Sequence, residues 1–574
     1  MIDFLSRRLF AALFAGAALA LASFADTRAA TEAPKPGASI AGNYLAGRHA
    51  QAVREMASAI AFYAAVLARE PDNPDLLRRA FVLFLAEGRI ADALRLALRM
   101  PKEDAARIGY PEFLRAADEI KRGRHGDAVA RLNALGREGI SGLVVPLLVA
   151  WAETGRGDRQ AAAAALAQLG GKEGAQVFLD LHGALLADVA GDFAAAEAGY
   201  RKIADEEGGP TVRLAALLGN LYERMGERDK AKAVYDSFLA RNPDSRLLDD
   251  ALRRVAAAKV KPRPEVGTAV EGAAEALLGF AGAFRQQNVR ETAHLLTRLA
   301  LHLRPDFPSA QVLLADLLEG DRRYADANAV YEAIAPASAL WRATRARIAA
   351  NLDRMDQNDE AVARLESLAK SEAKDAEALI QLGDILRGRK KFKEAAGAYD
   401  RAVARIPTLE RRHWALLYSR AIAFERSDQW PRAEADFLKA LEFEPDQPYV
   451  LNYLGYSWVE KRLNLERATD MIRKAVSLRP SDGYIVDSLG WVHYQLGDYA
   501  DAVRELERAV ELRPEDPVIN DHLGDAFWRV GRRNEARFQW ERALGLKPEP
   551  DAIEAIQKKL KEGLLDVPPT PVKG

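Results

Sequence analysis

The chain has 574 residues, several times the usual domain length, which calls for several domains or one extended repeat array. A hydrophobic content of 49% and a charged content of 29% exclude a wholly disordered chain, and 82 Lys and Arg against 83 Asp and Glu leave no bulk charge for nucleic acid or an anionic membrane surface. The absence of cysteine removes disulfides, thiolate metal sites, a cysteine nucleophile and lipid attachment at a cysteine, so packing alone has to hold the chain together.

At the N-terminus, Arg7 and Arg8 precede a charge-free run from Leu9 to Ala25, and small residues cluster at Ala25, Ala29 and Ala30. This is the layout of a bacterial secretory signal peptide over residues 1–30. The run is short and weakly apolar for a spanning helix, so the reading is a cleaved signal, with an uncleaved inner-membrane anchor as the alternative. Ser6-Arg7-Arg8-Leu9-Phe10 resembles the twin-arginine export signature, and the same residues would serve the general secretory route. Either route predicts a periplasmic location. Residues 31–39, with Pro34 and Pro36, read as a flexible lead. No second apolar run of spanning length follows, so membrane association would need an uncleaved N-terminal segment or a partner.

Beyond that lead, one pattern recurs near every 34 residues. Its clearest copies carry Leu489-Gly490, Gly497, Tyr499, Ala502, Leu506, Ala509 and Pro514, then Leu523-Gly524, Phe527, Gly531, Ala536, Trp540, Ala543 and Pro548. Small residues at Gly455, Gly490 and Gly524, and at Ala502 and Ala536, suit the close crossing of two antiparallel helices. Gly497 and Gly531 suit the turn between them, and the closing prolines end the second helix. Apolar residues at helical spacing form a stripe that one hairpin cannot bury, so neighbouring hairpins must stack. The signature resembles that of tetratricopeptide repeat (TPR) proteins, which implies an all-α fold: a right-handed α-solenoid of helix hairpins.

The same template gives starts at Ile40, Pro74, Gly109, Leu143, Val177 and Val212, then Ala274, Pro308, Arg342 and Ala376, then Trp414, Pro448, Gly483 and Pro517. These fourteen units leave no stretch long enough for a separate catalytic domain. The units from Ile40 to Val177 lack the Leu-Gly pair but keep Ala59, Ala93, Ala128, Ala162 and Ala196. Residues 246–273 break the pattern, and Lys261-Pro262-Arg263-Pro264 cannot be helical throughout, so this segment is expected to link an N-terminal solenoid (40–245) to a C-terminal one (274–550). A shorter break at 410–413 reads as a loop. Residues 551–565 are expected to form an amphipathic helix capping the last repeat, and 566–574, with Pro568, Pro569 and Pro571, a disordered tail.

Enzymatic motifs are missing. The eight histidines are scattered without the four-residue helical spacing of a metal pair, no nucleophile elbow or phosphate loop is present, and the chain reads as a non-enzyme without a cofactor. Arg156-Gly157-Asp158 spells an adhesion tripeptide, but it falls at a repeat turn, where Gly and Asp are turn chemistry.

The resemblance to TPR proteins further implies that the first helix of each unit lines a concave face. It assigns to that face Tyr449, Asn452, Tyr456 and Val459, then Tyr484, Asp487, Trp491 and Tyr494, then Val518, Asp521, Asp525 and Trp528. Six aromatic rings among amides and carboxylates suit peptide recognition, the competing reading being that curvature packs the rings against adjacent helices. The resemblance also implies that a carboxylate-clamping groove would place Lys and Arg here. Asp487, Asp521 and Asp525 point instead to a ligand that is neutral or basic, or that is held through its backbone.

The stretch from Asn452-Tyr453-Leu454-Gly455-Tyr456 through Asp487-Ser488-Leu489-Gly490-Trp491 to Asp521-His522-Leu523-Gly524-Asp525 resembles the C-terminal repeats of exported Gram-negative TPR proteins. Some of these are outer-membrane lipoproteins that act as adaptors for a periplasmic carboxyl-terminal processing protease. The resemblance implies a scaffold whose partners are proteins or peptides, such as a periplasmic protease and its substrates, with no nucleic acid. This chain departs from those members in lacking the lipid-accepting cysteine. A scaffold in an envelope polysaccharide or protein export assembly is the alternative.

Overall fold

In a computed structural model of the chain, residues 35–564 are described, apart from 244, 258–260, 373 and 374. The signal segment 1–30, residues 31–34 of the lead and the tail 566–574 lie outside the described residues. The described residues form 31 α-helices and no strand. Twenty-eight of these helices follow in fourteen successive pairs, one for each unit expected from the repeat. In pairs that lie within one compact unit the two helices pack on each other, as Ala269–Gln286 does on Arg290–Leu303 and Gly483–Leu496 on Tyr499–Leu512. Three helices stand outside the hairpins: Lys102–Ile108, Asp249–Ala257 and Pro550–Glu562.

The signature positions do the packing. The alanines at Ala59, Ala93, Ala128 and Ala196 are fully buried, as are Ala502 and Ala536 in the regular repeats. At Gly524 a Cβ would lie 2.5 Å from Cδ1 of Trp540 on the partner helix, so no larger residue lets the two helices cross this closely. Gly497 ends its helix in the left-handed region with φ 87°, which glycine adopts without cost. The Arg156-Gly157-Asp158 tripeptide is turn chemistry: Gly157 has φ 81°, and the Asp158 carboxylate accepts from the Ala161 amide at 2.9 Å to cap the next helix.

The chain divides into two compact units at residues 361 and 362, not within 246–273. In the first unit, the segment expected to be a joint between two arrays folds back onto the repeats before it. Asn220 donates its Nδ2 to the carbonyl of Arg263 at 2.9 Å, holding the extended Pro-flanked strand of chain. Arg213 forks onto Glu275 at 2.9 and 2.8 Å and reaches Glu265 at 2.9 Å. Burial works against the Arg213 charge, and Glu275 and Glu265 overcome it and raise its pKa.

The two helices that follow, Ala269–Gln286 and Arg290–Leu303, pack against the first helices of the earlier hairpins, among them Ser141–Arg156, Tyr110–Lys121 and Pro74–Ala86. Gly272 lies against the buried Trp151, Phe178 against Phe280 with ring centroids 4.3 Å apart, and Tyr110 donates its hydroxyl to Thr292 Oγ1 at 3.0 Å. Arg323 closes the circuit on Glu87 with two bonds of 2.6 and 2.7 Å. One hydrophobic cluster consequently runs from Ala50 to Leu317. The face that the N-terminal repeats would offer to a partner is filled by the chain itself.

The second unit, described over residues 362–564, keeps the regular form. First helices of successive repeats touch one another, as Pro448–Glu460 touches Gly483–Leu496, which in turn touches Pro517–Arg529. The break at 410–413 holds a short 3-10 turn, Arg411–His413. The helix Pro550–Glu562 buries Ile556 into a cluster with Leu523, Phe527 and Trp540, in the place a further repeat would take.

Because a Cβ at Gly272 would lie 2.2 Å from Cδ2 of Trp151, Gly272→Ala should cost about 1–3 kcal/mol of stability in the first unit. Urea unfolding followed by tryptophan emission checks this, and an unchanged midpoint would contradict the fold-back.

Candidate functional site

The first helices of the second unit carry the aromatic and polar residues singled out in the sequence. Tyr449, Asn452 and Tyr456 lie on Pro448–Glu460, and all three are half-buried. Tyr484, Trp491 and Tyr494 lie on Gly483–Leu496 and are half-buried too, whereas Asp487 is 7% exposed. On Pro517–Arg529, Asp521 and Trp528 are half-buried and Asp525 is 5% exposed. Val459 is buried and Val518 is exposed.

The three carboxylates are not the open acidic face that the sequence suggested. Asp487 is engaged by His522 of the next first helix, with Nδ1 at 2.9 Å from Oδ1 and 3.1 Å from Oδ2. Asp521 receives Lys559 of the capping helix at 2.9 Å, and the same ammonium reaches Asp525 Oδ2 at 2.8 Å. Trp540 donates its Nε1 to the other oxygen of Asp525 at 2.9 Å. Burial works against the Lys559 ammonium, and Asp525 and Asp521 outweigh it and hold its pKa above the usual lysine range. All three carboxylates already have hydrogen-bonded partners within the chain, so none of them is the open acidic contact for a ligand that the sequence suggests.

Trp528 is also claimed from within. Its indole donates to the Leu564 carbonyl at 3.2 Å, Gly563 presses on the ring, and Arg533 stacks on it at 3.9 Å from the centroid. The end of the chain therefore covers the last repeat's face at Asp521, Asp525 and Trp528.

The rings before it are arranged differently. Trp491 stacks on Tyr494 with centroids 4.7 Å apart and donates its Nε1 to Glu460 at 2.6 Å. Burial raises the Tyr494 phenol, and it raises those of Tyr456 and Tyr484 likewise. Arg479 and Arg513 lie over Tyr449 and Tyr484 at 5.9 and 5.1 Å. Asn452, between Tyr449 and Tyr456, holds a buried Oδ1 that accepts no hydrogen bond. An orphaned amide oxygen of this kind is costly, and because it is shielded from solvent it is not itself a contact point for a partner.

Two residues of this network carried no usable signal in the sequence. His522 is a lone histidine next to Asp521, and its bond to Asp487 depends on the rotation of one first helix against the next. Lys559 is one of three lysines at 558, 559 and 561, and the helical pattern does not say which turns inward. Among the described residues no group of three or more His, Asp or Glu could hold a metal ion, and no helix is long and apolar enough to cross a membrane.

Models of tetratricopeptide repeats match residues 217–245, 347–410 and 490–531. A TPR repeat-containing protein of Pseudomonas aeruginosa is 37% identical over 91 residues, which is 16% of this chain and 15% of that relative's length. Among solved structures, the APC/C hetero-tetramer Cut9–Hcn1 matches at TM-score 0.38 and 15% identity, over 92% of this chain and 97% of its own. Yeast Tom70 matches at 0.34 and 14%, over 91% and 95%. A tetratricopeptide repeat protein from Parabacteroides merdae matches at 0.34 and 15%, over 50% and 99%. The chain carries tetratricopeptide repeats over those three matched stretches, and its described residues are helical without a strand.

Lys559→Met leaves Asp521 and Asp525 without their cation. It should destabilise the second unit by roughly 2–3 kcal/mol, less than for a fully buried pair because Lys559 keeps some exposure. Denaturant unfolding read by near-ultraviolet circular dichroism checks this, and a change within error would show the cap to be held by apolar contact alone.

Proposed function

We propose that the chain is a non-catalytic scaffold that takes a protein or peptide partner on the face formed by Pro448–Glu460 and Gly483–Leu496. Proteins of this repeat class mediate protein–protein interactions, and this face is where the described residues leave aromatic rings half-exposed at Tyr449, Tyr456, Tyr484, Trp491 and Tyr494. Those half-exposed rings are the observation that carries the reading. The returning chain covers first helices of the N-terminal repeats, among them Pro74–Ala86, Tyr110–Lys121 and Ser141–Arg156, and the cap covers the last repeat, whereas the rings of Pro448–Glu460 and Gly483–Leu496 stay half-exposed. Binding here rests on ring contact and backbone hydrogen bonds, because the nearby carboxylates are matched internally.

The finer reading is an exported adaptor working in the periplasm, presenting substrates to a carboxyl-terminal processing protease. The resemblance of residues 452–525 to exported adaptors and the N-terminal charge pattern support it. A scaffold of an envelope polysaccharide or protein export assembly is the second reading. Affinity capture of the full chain from envelope extract separates them: co-purification of a protease and wall hydrolases supports the first, and of export-channel subunits the second.

Trp491→Ala should weaken the captured partner by roughly tenfold or more, the loss typical of a buried aromatic anchor, and Tyr449→Ala and Tyr456→Ala should add to it. An unchanged set of partners in the triple variant would remove this face from consideration. A reporter fused after Gly37 should be active outside the cytoplasm, and cytoplasmic activity would overturn the location.

A further inference from the structure

His522 stands at the contact between two successive first helices, Gly483–Leu496 and Pro517–Arg529, and is 8% exposed. One edge of the imidazole meets Asp487 at 2.9 and 3.1 Å. Its flat face lies on Trp491, with centroids 4.0 Å apart and planes 17° from parallel. Trp491 is thereby gripped by the imidazole, by Tyr494 on its own helix and by Glu460 on the preceding one.

The charges around the ring come from several elements. Asp487 belongs to Gly483–Leu496, Asp521 and Asp525 to the ring's own helix, and Lys559, bonded to both of the latter, to Pro550–Glu562. Glu460 and Tyr456 lie on Pro448–Glu460, beyond Trp491. Tyr499–Leu512 spends Glu505 on Arg504 and Arg508, and Glu507 on Arg532, while Arg533–Gly545 turns Trp540 toward Asp525. Arg529, on the ring's own helix, donates to the Tyr494 hydroxyl at 3.2 Å and acts on Asp525 as well, so cations and carboxylates alternate around the imidazole. An imidazolium also attracts the indole face on which it lies.

We propose that His522 is a positioning residue of the groove: its protonated ring, paired with Asp487 and laid on Trp491, fixes the indole that a partner meets, and loss of the proton loosens it. The proposal rests on the reading that Trp491 lines the partner's groove. Burial alone would lower the pKa of this histidine, but the Asp487 charge and hydrogen bond, with Asp521 and Asp525 behind it, outweigh burial and raise it above the ordinary value. A group raised in this sense contributes its full stabilisation below the unfolded pKa, about 6.5 for histidine, and loses it as pH rises through the folded value. The groove is therefore tightest toward acid and loosens toward alkali.

The test uses the full chain, reading the emission of Trp491 as the difference between wild type and Trp491→Phe across roughly pH 6 to 10, above the ordinary histidine value. A protonated imidazole against an indole quenches it. The Trp491 emission should rise in one step centred above about 6.5, and hydrogen exchange in Gly483–Leu496 should quicken over the same step. His522→Gln should abolish the step. Asp487→Asn should move its midpoint down by about 1–3 pH units, the effect of removing one adjacent opposite charge, which a merely structural role would not do. Should the glutamine variant fail to fold, the wild-type and Asp487→Asn profiles decide. A flat wild-type profile, a step that survives His522→Gln, or a midpoint unmoved by Asp487→Asn overturns the proposal. If the profile is flat while partner capture still depends on Trp491, this inference alone fails. Capture indifferent to Trp491 removes the groove reading beneath it.

Discussion

A helical hairpin of this length has two apolar faces and can bury one of them against its own two helices. The other must be covered by a neighbour, and the neighbour's far face by the next, until something ends the series. In this protein the series ends in two different ways. The first unit turns back on itself, so that the helices after the Pro-flanked segment fill the face left by the hairpins before it. The second unit closes its end with the helix Pro550–Glu562, whose Lys559 and Ile556 complete the last repeat.

This requirement also governs where polar groups are placed. Arg213 pins Glu265 and Glu275 where the chain returns to the earlier repeats, and Asn220 satisfies a main-chain carbonyl there. In the second unit Asp487, Asp521 and Asp525 stand at seams between first helices, each matched by a cation or by His522. Buried charges are tolerated at such seams when they are paired, and removing one partner costs more than the pair contributes. Before the cap, the rings from Tyr449 to Tyr494 keep part of their surface open, which is why binding is assigned there.

The hairpins were legible in the sequence because their signals are local. A helical period, small residues where helices cross and glycine at the turn, as in Gly524 and Gly497, each act within one repeat. The fold-back was not legible, because Gly272 finds Trp151, and Thr292 finds Tyr110, across more than a hundred residues with no periodic signal. The break in the repeat at 246–273 accordingly points, by itself, only to a joint. Its prolines do hold an extended stretch, but Asn220 and Arg213 draw that stretch inward. The site was half legible: the aromatic positions followed from the repeat register, whereas the pairing of Asp487 with His522 and of Asp525 with Lys559 depends on helix rotation, which a 34-residue period does not set.

Whether the first unit fills its own groove while the second leaves one open is decided by hydrogen exchange of the intact chain. Residues 263–303 should exchange slowly and open together with Ser141–Arg156 and Tyr110–Lys121, as parts of one cooperative body. Rapid exchange of 263–303 while those earlier helices stay protected would show the returning segment to be loosely held and the groove of the first unit to be unfilled.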